Sequence, residues 1–386
     1  MSMAGSPTLT AHVYPWDIVG DPAAPSRLLD SGVRRVALAG AYHAVRAATP
    51  RHPRHRIVEA PRSALYLPVR PQRWAGQQLA PVQADAWAGP DSFRRARDIL
   101  AEAGIRVAGW IVLTHRDELG DTSHGHLVEN AAGDLYRYAL CPRSSDVRRF
   151  AATVTAEVVE LGDVDELVVE AAGQLGFEHA AMHEKTQGTD WGSAAHALLS
   201  ICFCPHCTQE YATAGVDIAG VRARILASLD DDRAAAELLR ELAPTIARTR
   251  SAAAHALLAD VVTTARDVGV RDITVFADPD PLVTGATMYP ENPVMGIDRW
   301  LLPAFGDPDS DAARAGSMAR LSETPVAAYV TLLSPDFAGS IDRRLAALHA
   351  SGISSVHGYH YGLASQRRID TMTAALARSP YGRSGA

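Results

Sequence analysis

Three of the four cysteines in this chain lie within six residues, in the segment SICFCPHCTQEYA. Cys202, Cys204 and Cys207 are too few for a disulfide framework in a chain of this length, and in a reducing compartment such a cluster is typical of a metal site. Zn²⁺ prefers thiolate or imidazole ligands, and sites closed by four cysteines are structural rather than catalytic. The cluster therefore predicts a structural zinc, with buried free thiols as the alternative.

A glutamate ends the apolar run in the segment DELVVEA. If that run is a buried strand, the carboxyl of Glu170 stands where burial raises the pKa toward the range useful to a general acid. The sequence predicts Glu170 as a catalytic proton donor. The alternative is a carboxylate paired with an arginine or with Lys185, the only lysine of the chain.

Further polar and aromatic side chains stand at or after the ends of other β-type runs. Hydroxyl-rich ligands need hydrogen bonds and aromatic faces, so this set favours a sugar site. The candidates for substrate binding are His12, Tyr14, Asp17, Tyr42, His43, His115, Arg116, His357 and Tyr359. The stretch FEHAAMHEK adds His183, Glu184 and Lys185, which we interpret as a loop over the site; a second metal site there is the alternative. Asp278 and Asp336 are candidates for a second catalytic carboxylate, and Asp298 is a further one.

Eight short β-branched runs alternate with amphipathic helical stretches, which is the pattern of parallel β/α units. Eight such units predict an α/β fold, a (β/α)₈ TIM barrel, in which catalytic residues lie at the carboxyl ends of the strands. We expect one domain over residues 1–386, with insertions after strands 2 and 4 at about 42–90 and 173–269. The strands are predicted at 9–14, 34–40, 106–114, 165–171, 272–278, 296–302, 326–333 and 354–361, and the segment 285–289 is an alternative to 296–302 for the sixth strand.

Composition narrows the classes of partner. The formal net charge of −7 and the absence of a basic cluster argue against a nucleic-acid or anionic-membrane partner. No run approaches the roughly 18 apolar residues of a membrane span, and the first residues lack the pattern of a signal peptide, so we expect a cytoplasmic protein. The sequence has no glycine-rich phosphate loop or Rossmann fingerprint, so no organic cofactor is expected. A homo-oligomer remains open.

The segment LCP at 140–142, Glu170 and the segment CFCPHC at 202–207 together resemble glycoside hydrolase family 42 and related β-galactosidase-like barrels. The similarity covers about a quarter of the chain, and the stretch 129–150 is also similar to actinobacterial barrel glycosidases. In that family an upstream cysteine and a C-x-C-x2-C cluster hold a structural zinc. The resemblance therefore implies Cys141, Cys202, Cys204 and Cys207 as zinc ligands, with His206 as an alternative to Cys141. It also implies Glu170 as the acid/base.

Two positions depart from that family's pattern. The family has asparagine before the acid/base, where this chain has Val169, and a glutamate nucleophile ends its seventh strand, where this chain offers only Asp336. We therefore expect a glycoside hydrolase with Glu170 as general acid/base, an aspartate from strands 5–7 as second carboxylate, and a small-molecule or oligosaccharide substrate. The alternatives are a non-catalytic sugar-binding barrel, or a sugar lyase or isomerase that uses histidine and tyrosine.

Overall fold

The computed structural model describes residues 9–85, 87–117, 125–178, 185–290 and 296–382, except for the side chain of Gln187. Eight parallel strands pair around a closed ring, because the first strand pairs with both the second and the last. The predicted TIM barrel is confirmed. The barrel strands are β1 (Leu9–Val13), β2 (Arg35–Tyr42), β6 (Arg106–Val112), β9 (Glu166–Glu170), β10 (Asp272–Phe276), β11 (Arg299–Pro303), β12 (Val326–Thr331) and β13 (Ser355–Tyr359).

The strands are apolar on both faces because one face fills the barrel and the other packs on helices. All eight residues of β2 and all five of β1 are buried. Gly109 of β6 shows how tight the outer layer is, since a Cβ there would lie 2.9 Å from a methyl group of Val158. In the sequence these strands therefore form continuous apolar runs rather than an alternation of apolar and polar residues.

Helices cover the outside of the barrel, and most begin at a residue whose side chain or backbone suits a helix start. Ser144 and Asp307 cap their helices by accepting hydrogen bonds from backbone N–H groups one turn on. The helices are α1 (Ala24–Asp30), α2 (Pro71–Trp74), α3 (Ser92–Glu102), α4 (Ser145–Gly162), α5 (Ser193–Leu199), α6 (Pro205–Thr213), α7 (Ile218–Ser228), α8 (Asp232–Asp267), α9 (Pro308–Leu321), α10 (Phe337–Ala350) and α11 (Gln366–Arg378).

In the described part of the chain, three excursions with strands or helices of their own leave the carboxyl end of the barrel. The first, after β2, holds the hairpin of β3 (Val45–Ala48) and β4 (Ile57–Ala60), then β5 (Ala64–Leu65), which pairs antiparallel with β2. The third, after β9, holds α5, α6, α7 and the long helix α8. Both agree with the predicted insertions. The second, after β6, was not predicted as an insertion and contains the antiparallel pair β7 (Leu127–Glu129) and β8 (Leu135–Leu140).

Aromatic and imidazole rings fill the barrel below its carboxyl end. The ring of His12 lies 4.6 Å from Trp110 and 4.5 Å from Tyr329, measured between centroids. His12 Nε2 and His357 Nδ1 are 3.0 Å apart, so one ring donates a hydrogen bond to the other. Burial lowers the pKa of both histidines well below the usual value, so both rings are neutral. This layer forms a packed floor.

No described helix is both long enough and apolar enough to cross a membrane.

Candidate functional site

A cavity of about 320 Å³ opens at the carboxyl ends of the strands. This is the end at which TIM barrels carry their chemistry. Most of its walls come from residues at the ends of barrel strands or directly after them. The lining residues are Tyr42, His43, Ala44, His115, Asp117, Glu170, Phe276, Ala286, Pro303, Phe305, Tyr329 and Tyr359.

Glu170 is the last residue of β9 and faces this cavity. Its Oε2 accepts a hydrogen bond of 2.7 Å from the indole N–H of Trp110. Burial raises the pKa of Glu170 to about 7, and the Trp110 hydrogen bond acts in the opposite direction by favouring the charged form. A carboxyl with this pKa holds its proton for an appreciable fraction of the time at neutral pH, which suits a general acid.

The chain leaves β9 through an unusual backbone conformation. Ala171 has φ of 54°, in the left-handed region that residues with a Cβ rarely adopt. Its N–H donates to the carbonyl of Ala286 at 2.7 Å, and the hydroxyl of Thr114 donates to its carbonyl at 2.8 Å. These contacts fix the backbone next to Glu170, and strained backbone of this kind clusters at functional sites.

Asp117 is the second carboxylate that lines the cavity. Its Oδ2 accepts a 2.8 Å hydrogen bond from the N–H of Ala44, and its Oδ1 lies 3.8 Å from Nε2 of His115. Burial acts to raise the pKa of Asp117, but His115, the Ala44 N–H and the nearby His43 together lower it below the usual value. Asp117 is therefore ionised at neutral pH, whereas Glu170 is poised between its two forms.

The aromatic walls carry hydroxyl groups. Burial raises the pKa of Tyr359 to about 12, with a further contribution from the charge of Glu170, so its phenol stays protonated and can donate. The Tyr329 hydroxyl is buried and has no hydrogen-bond partner among the described residues. A buried hydroxyl that borders a cavity without a protein partner is suited to bind a ligand oxygen.

The structure brings five of the predicted site residues to the cavity wall: Glu170, Tyr42, His43, His115 and Tyr359. It places His12, Tyr14 and His357 elsewhere, within the packed floor, each no more than 1% exposed. The strand β13 ends at Tyr359, and the peptide bond that follows it is cis.

The predicted second carboxylates lie away from the cavity. Asp278 is buried in an ion pair with Arg314. Asp336 is exposed in the loop before α10, where it accepts a hydrogen bond from the Ser334 hydroxyl. Asp298, which precedes β11 at the amino end of the barrel, pairs with Arg266 at 2.6 Å. None of the three aspartates lines the cavity, so Asp117 is the carboxylate that accompanies Glu170 there.

Two more candidates have other surroundings. Asp17 is buried in the turn after β1, where it accepts a 2.8 Å hydrogen bond from the N–H of Tyr14; burial raises its pKa to about 7. It fills the space beside Gly362, where a Cβ would lie 1.9 Å from the carboxyl carbon. Arg116 is buried with its guanidinium over the ring of Phe150, 4.7 Å from the centroid, and points away from the cavity.

The candidates from the stretch FEHAAMHEK cannot be placed at the cavity. His183 and Glu184 lie outside the described residues, as does His179. Lys185 is described, is exposed, and is not among the residues that line the cavity.

The four cysteines converge at a separate place. The sulfur atoms lie within 4.8 Å of one another in the group Cys141, Cys202, Cys204 and Cys207, and all four residues are buried. The Cys141 and Cys207 sulfurs are 3.6 Å apart. His206 is not in this group, and its ring lies 6.2 Å from that of His126. Cys141 directly follows β8, whereas the other three belong to the excursion after β9. The cluster therefore joins two excursions.

Sequence reasoning missed several residues of the cavity, although some signals were present. Asp117 stands two residues after His115, in a segment THRDELG that follows β6. Tyr329 and Phe276 lie inside strand runs, where their side chains alternate into the barrel. Trp110, which donates to Glu170, occupies the same kind of position in β6. Phe305 lies in a loop, and no sequence pattern marked it.

Comparison with known proteins finds no matching family model, and no curated protein matches. Solved structures do match the fold. An α-L-fucosidase isoenzyme 2 from Paenibacillus thiaminolyticus aligns with a TM-score of 0.55 and 10% identity over 96% of this chain and 49% of its own. The catalytic domain of a β-amylase from Paenibacillus polymyxa aligns with a TM-score of 0.55 and 10% identity over 97% of this chain and 99% of its own. A β-galactosidase from Marinomonas ef1 aligns with a TM-score of 0.55 and 12% identity over 95% of this chain and 58% of its own.

The chain thus spans about half the length of the fucosidase and somewhat more of the β-galactosidase. At these identities the similarity establishes the barrel fold and leaves residue roles to the geometry of the site. The proteins that share this barrel are glycoside hydrolases by their descriptions.

Proposed function

We propose that this chain is a glycoside hydrolase in which Glu170 is the general acid/base. The observation that carries the proposal is a cavity-facing carboxyl at the end of β9 whose pKa is raised to about 7 by burial. The tyrosine and phenylalanine walls suit the C–H faces of a sugar, and the unpartnered hydroxyl of Tyr329 suits a sugar oxygen. The glycosidase neighbours share the fold and agree with this class of substrate.

Glu170 would act by donating its proton to the oxygen of the bond that breaks. Because Oε2 accepts from the Trp110 indole, the proton is carried on Oε1. When the proton leaves, the same indole N–H stabilises the carboxylate that forms. Glu170 then recovers a proton from the water that completes hydrolysis.

The second catalytic role falls to the polar group of His43, His115 and Asp117, in place of the predicted aspartates of strands 5–7. It lines the same cavity, and its carboxylate is ionised at neutral pH. An ionised carboxylate beside two imidazoles can hold and orient a water molecule for attack on the sugar carbon.

A panel of aryl glycosides and short oligosaccharides tests the proposal. Glu170→Gln keeps the size of the side chain and its hydrogen bond, and we expect its kcat on the best substrate to fall by about 10²- to 10⁴-fold. Glu178→Gln is the control, because Glu178 is exposed and pairs with His196 outside the cavity. Equal turnover by Glu170→Gln and the wild type would contradict the assignment.

One observation favours a second class of function. The aspartates that follow β10 and β12 do not reach the cavity, so a nucleophile at the usual place is absent from the described lining. A sugar-binding barrel would bind a glycan in the panel without cleaving it during long incubation. A lyase or isomerase that uses His43, His115, Tyr42 or Tyr359 would give a product without net addition of water.

We also propose a structural zinc held by Cys141, Cys202, Cys204 and Cys207. The set is buried, and the 3.6 Å separation of two sulfurs is close to the roughly 3.8 Å edge of a tetrahedron with Zn–S bonds of about 2.3 Å. Bound zinc would contribute folding free energy and fix the two excursions together. A thiolate site of this kind fits a reducing cytoplasm.

Metal analysis of protein purified without chelator tests the zinc. We expect about one zinc per chain at this site, lost in Cys207→Ser. His206→Ala is the matched control, because His206 lies between two of the ligands in sequence but outside their cluster. Zinc content near zero in the wild type, or unchanged in Cys207→Ser, would contradict the proposal.

A further inference from the structure

A second group of metal-ligand residues lies at the cavity wall. One ligand atom from each of His43, His115 and Asp117 lies within 4.8 Å of the other two. His43 directly follows β2, and the other two follow β6 closely. Since β2 and β6 are neighbouring parallel strands, their carboxyl ends bring the three side chains together.

The hydrogen bond of His43 selects the form of the ring that binds metals. Nδ1 lies 2.7 Å from the carbonyl oxygen of Ala44, which can only accept, so Nδ1 carries the hydrogen. In the neutral ring Nε2 then carries the lone pair. Metal-binding histidines are held in this way, with the other ring nitrogen donating to a carbonyl or carboxylate.

The carboxylate of Asp117 is oriented by a similar outer set of contacts. Oδ2 accepts from the Ala44 N–H at 2.8 Å and from the Ser63 hydroxyl at 3.4 Å, while the N–H of Asp117 donates to the Ser63 oxygen at 2.8 Å. The Asp117 side chain is only 13% exposed. In the described part of the chain its ion-pair partner is His115 rather than arginine or lysine.

The separation of His115 and Asp117 is longer than a hydrogen bond. His115 Nε2 and Asp117 Oδ1 are 3.8 Å apart, beyond the ordinary range of about 2.7 to 3.2 Å for a hydrogen bond. Two ligands at about 2.1 Å from one ion lie roughly 3 to 3.5 Å apart. The imidazoles of His43 and His115 stack at 4.2 Å with an interplanar angle of 28°, so both rings lie on the same side of the group.

We propose that His43, His115 and Asp117 bind a divalent first-row transition-metal ion at the rim of the cavity. Two imidazoles and one carboxylate leave coordination positions open, and this donor set is used for Fe²⁺, Mn²⁺ and Zn²⁺. The three residues line the cavity, so the open positions face it and bind an oxygen atom of water or ligand. The site is independent of the four-cysteine cluster. Only the identity of the ligand oxygen rests on the proposed hydrolase function.

The experiment measures metal binding directly, without an activity assay. Chelator-treated protein is titrated with Co²⁺, and bound metal is counted by elemental analysis while the visible absorption is recorded. Asp117→Asn and His115→Gln should bind Co²⁺ at least about 100-fold more weakly at one site. In both variants the thiolate-to-cobalt absorption of the cysteine cluster should be unchanged.

His196→Ala is the control for loss of a histidine, because His196 pairs with a glutamate away from the cavity. It should bind as the wild type does. Ser63→Ala removes an orienting hydroxyl rather than a ligand, and we expect its affinity to fall about tenfold. Thermal melting of each variant establishes that it is folded. Equal affinity and stoichiometry in Asp117→Asn, His115→Gln and the wild type would overturn the proposal, whether or not Glu170 proves to be catalytic.

Discussion

The strand β9 begins and ends with a glutamate, and the two glutamates have opposite surroundings. Glu166, at the amino end of the barrel, contacts the guanidinium of Arg35 and lies 3.4 Å from that of Arg106. Arg35 also contacts Asp272 at 3.0 Å. Glu170, at the carboxyl end, forms no ion pair in the described part of the chain and accepts a single hydrogen bond from Trp110.

The difference shows how one strand serves two ends of the barrel. At the amino end, each carboxylate is paired with a guanidinium of opposite charge, so the network stabilises the fold. At the carboxyl end, burial without a cation leaves the charged form of Glu170 at a disadvantage. Each prediction below tests one side of this contrast.

The largest effect is expected from Glu166→Gln. Arg35 is 3% exposed, and losing one partner of a buried pair costs about 3 to 5 kcal/mol. Because Asp272 remains beside Arg35, we expect the free energy of unfolding to fall by about 3 kcal/mol, the lower end of that range. Urea denaturation measures the change. A loss no larger than that of the exposed-pair variant Glu178→Gln would mean that the amino-end network contributes little.

The pH dependence of the rate tests the carboxyl end. A general acid with a pKa of about 7 loses its proton above that pH. We expect kcat/KM to approach a tenfold fall per pH unit on the alkaline side, which gives about a 50-fold fall between pH 7 and 9. A rate that stays flat to pH 9 would remove Glu170 from the role of proton donor.

Replacing Glu170 by glutamine should raise the free energy of unfolding, whereas replacing Glu166 should lower it. The folded-state pKa is raised above the unfolded value of 4.5, so wild-type stability is full below about pH 4.5 and is lost as the pH rises through 7. Glu170→Gln escapes this loss and should be more stable than the wild type at pH 8.5, by about 2 kcal/mol after allowance for the open cavity. The difference should vanish at pH 4. Denaturation curves at both pH values decide the sign.

The smallest effect is expected from Trp110→Phe. The substitution keeps an aromatic ring against His12 but removes the N–H that favours the charged form of Glu170. A hydrogen bond to a charged group contributes about 1.5 to 3 kcal/mol, so the alkaline limb of the pH–rate profile should move up by about one pH unit. A downward shift would show that the indole does not stabilise the carboxylate.

The barrel was predictable because its strands are short, largely apolar runs, and all eight predicted runs form strands. Five predicted site residues also reach the cavity, since each stands at a strand end or next to it. The sequence position of a residue does not show how deep in the barrel its side chain lies, however. His12 and His357 lie below the cavity, in the packed floor, because each precedes the end of its strand.

The second carboxylate could not be predicted for a different reason. Asp278 follows the end of β10 by only two residues. The loop after β10 nevertheless turns so that Asp278 contacts Arg314 on α9 rather than the cavity. The direction of a loop depends on contacts between distant segments, which a strand pattern does not contain. The four cysteines are the opposite case, because their chemistry predicts convergence whatever path the loops take.

The cysteine cluster also has a consequence for how the molecule opens. With the proposed zinc bound, it would tie the end of β8 to the start of α6, two segments some 60 residues apart in the sequence that meet outside the barrel. Amide hydrogens in these two segments should therefore exchange with solvent together, as one cooperative unit, rather than with the barrel strands beneath them. These two excursions would then have their own local opening equilibrium, separate from global unfolding.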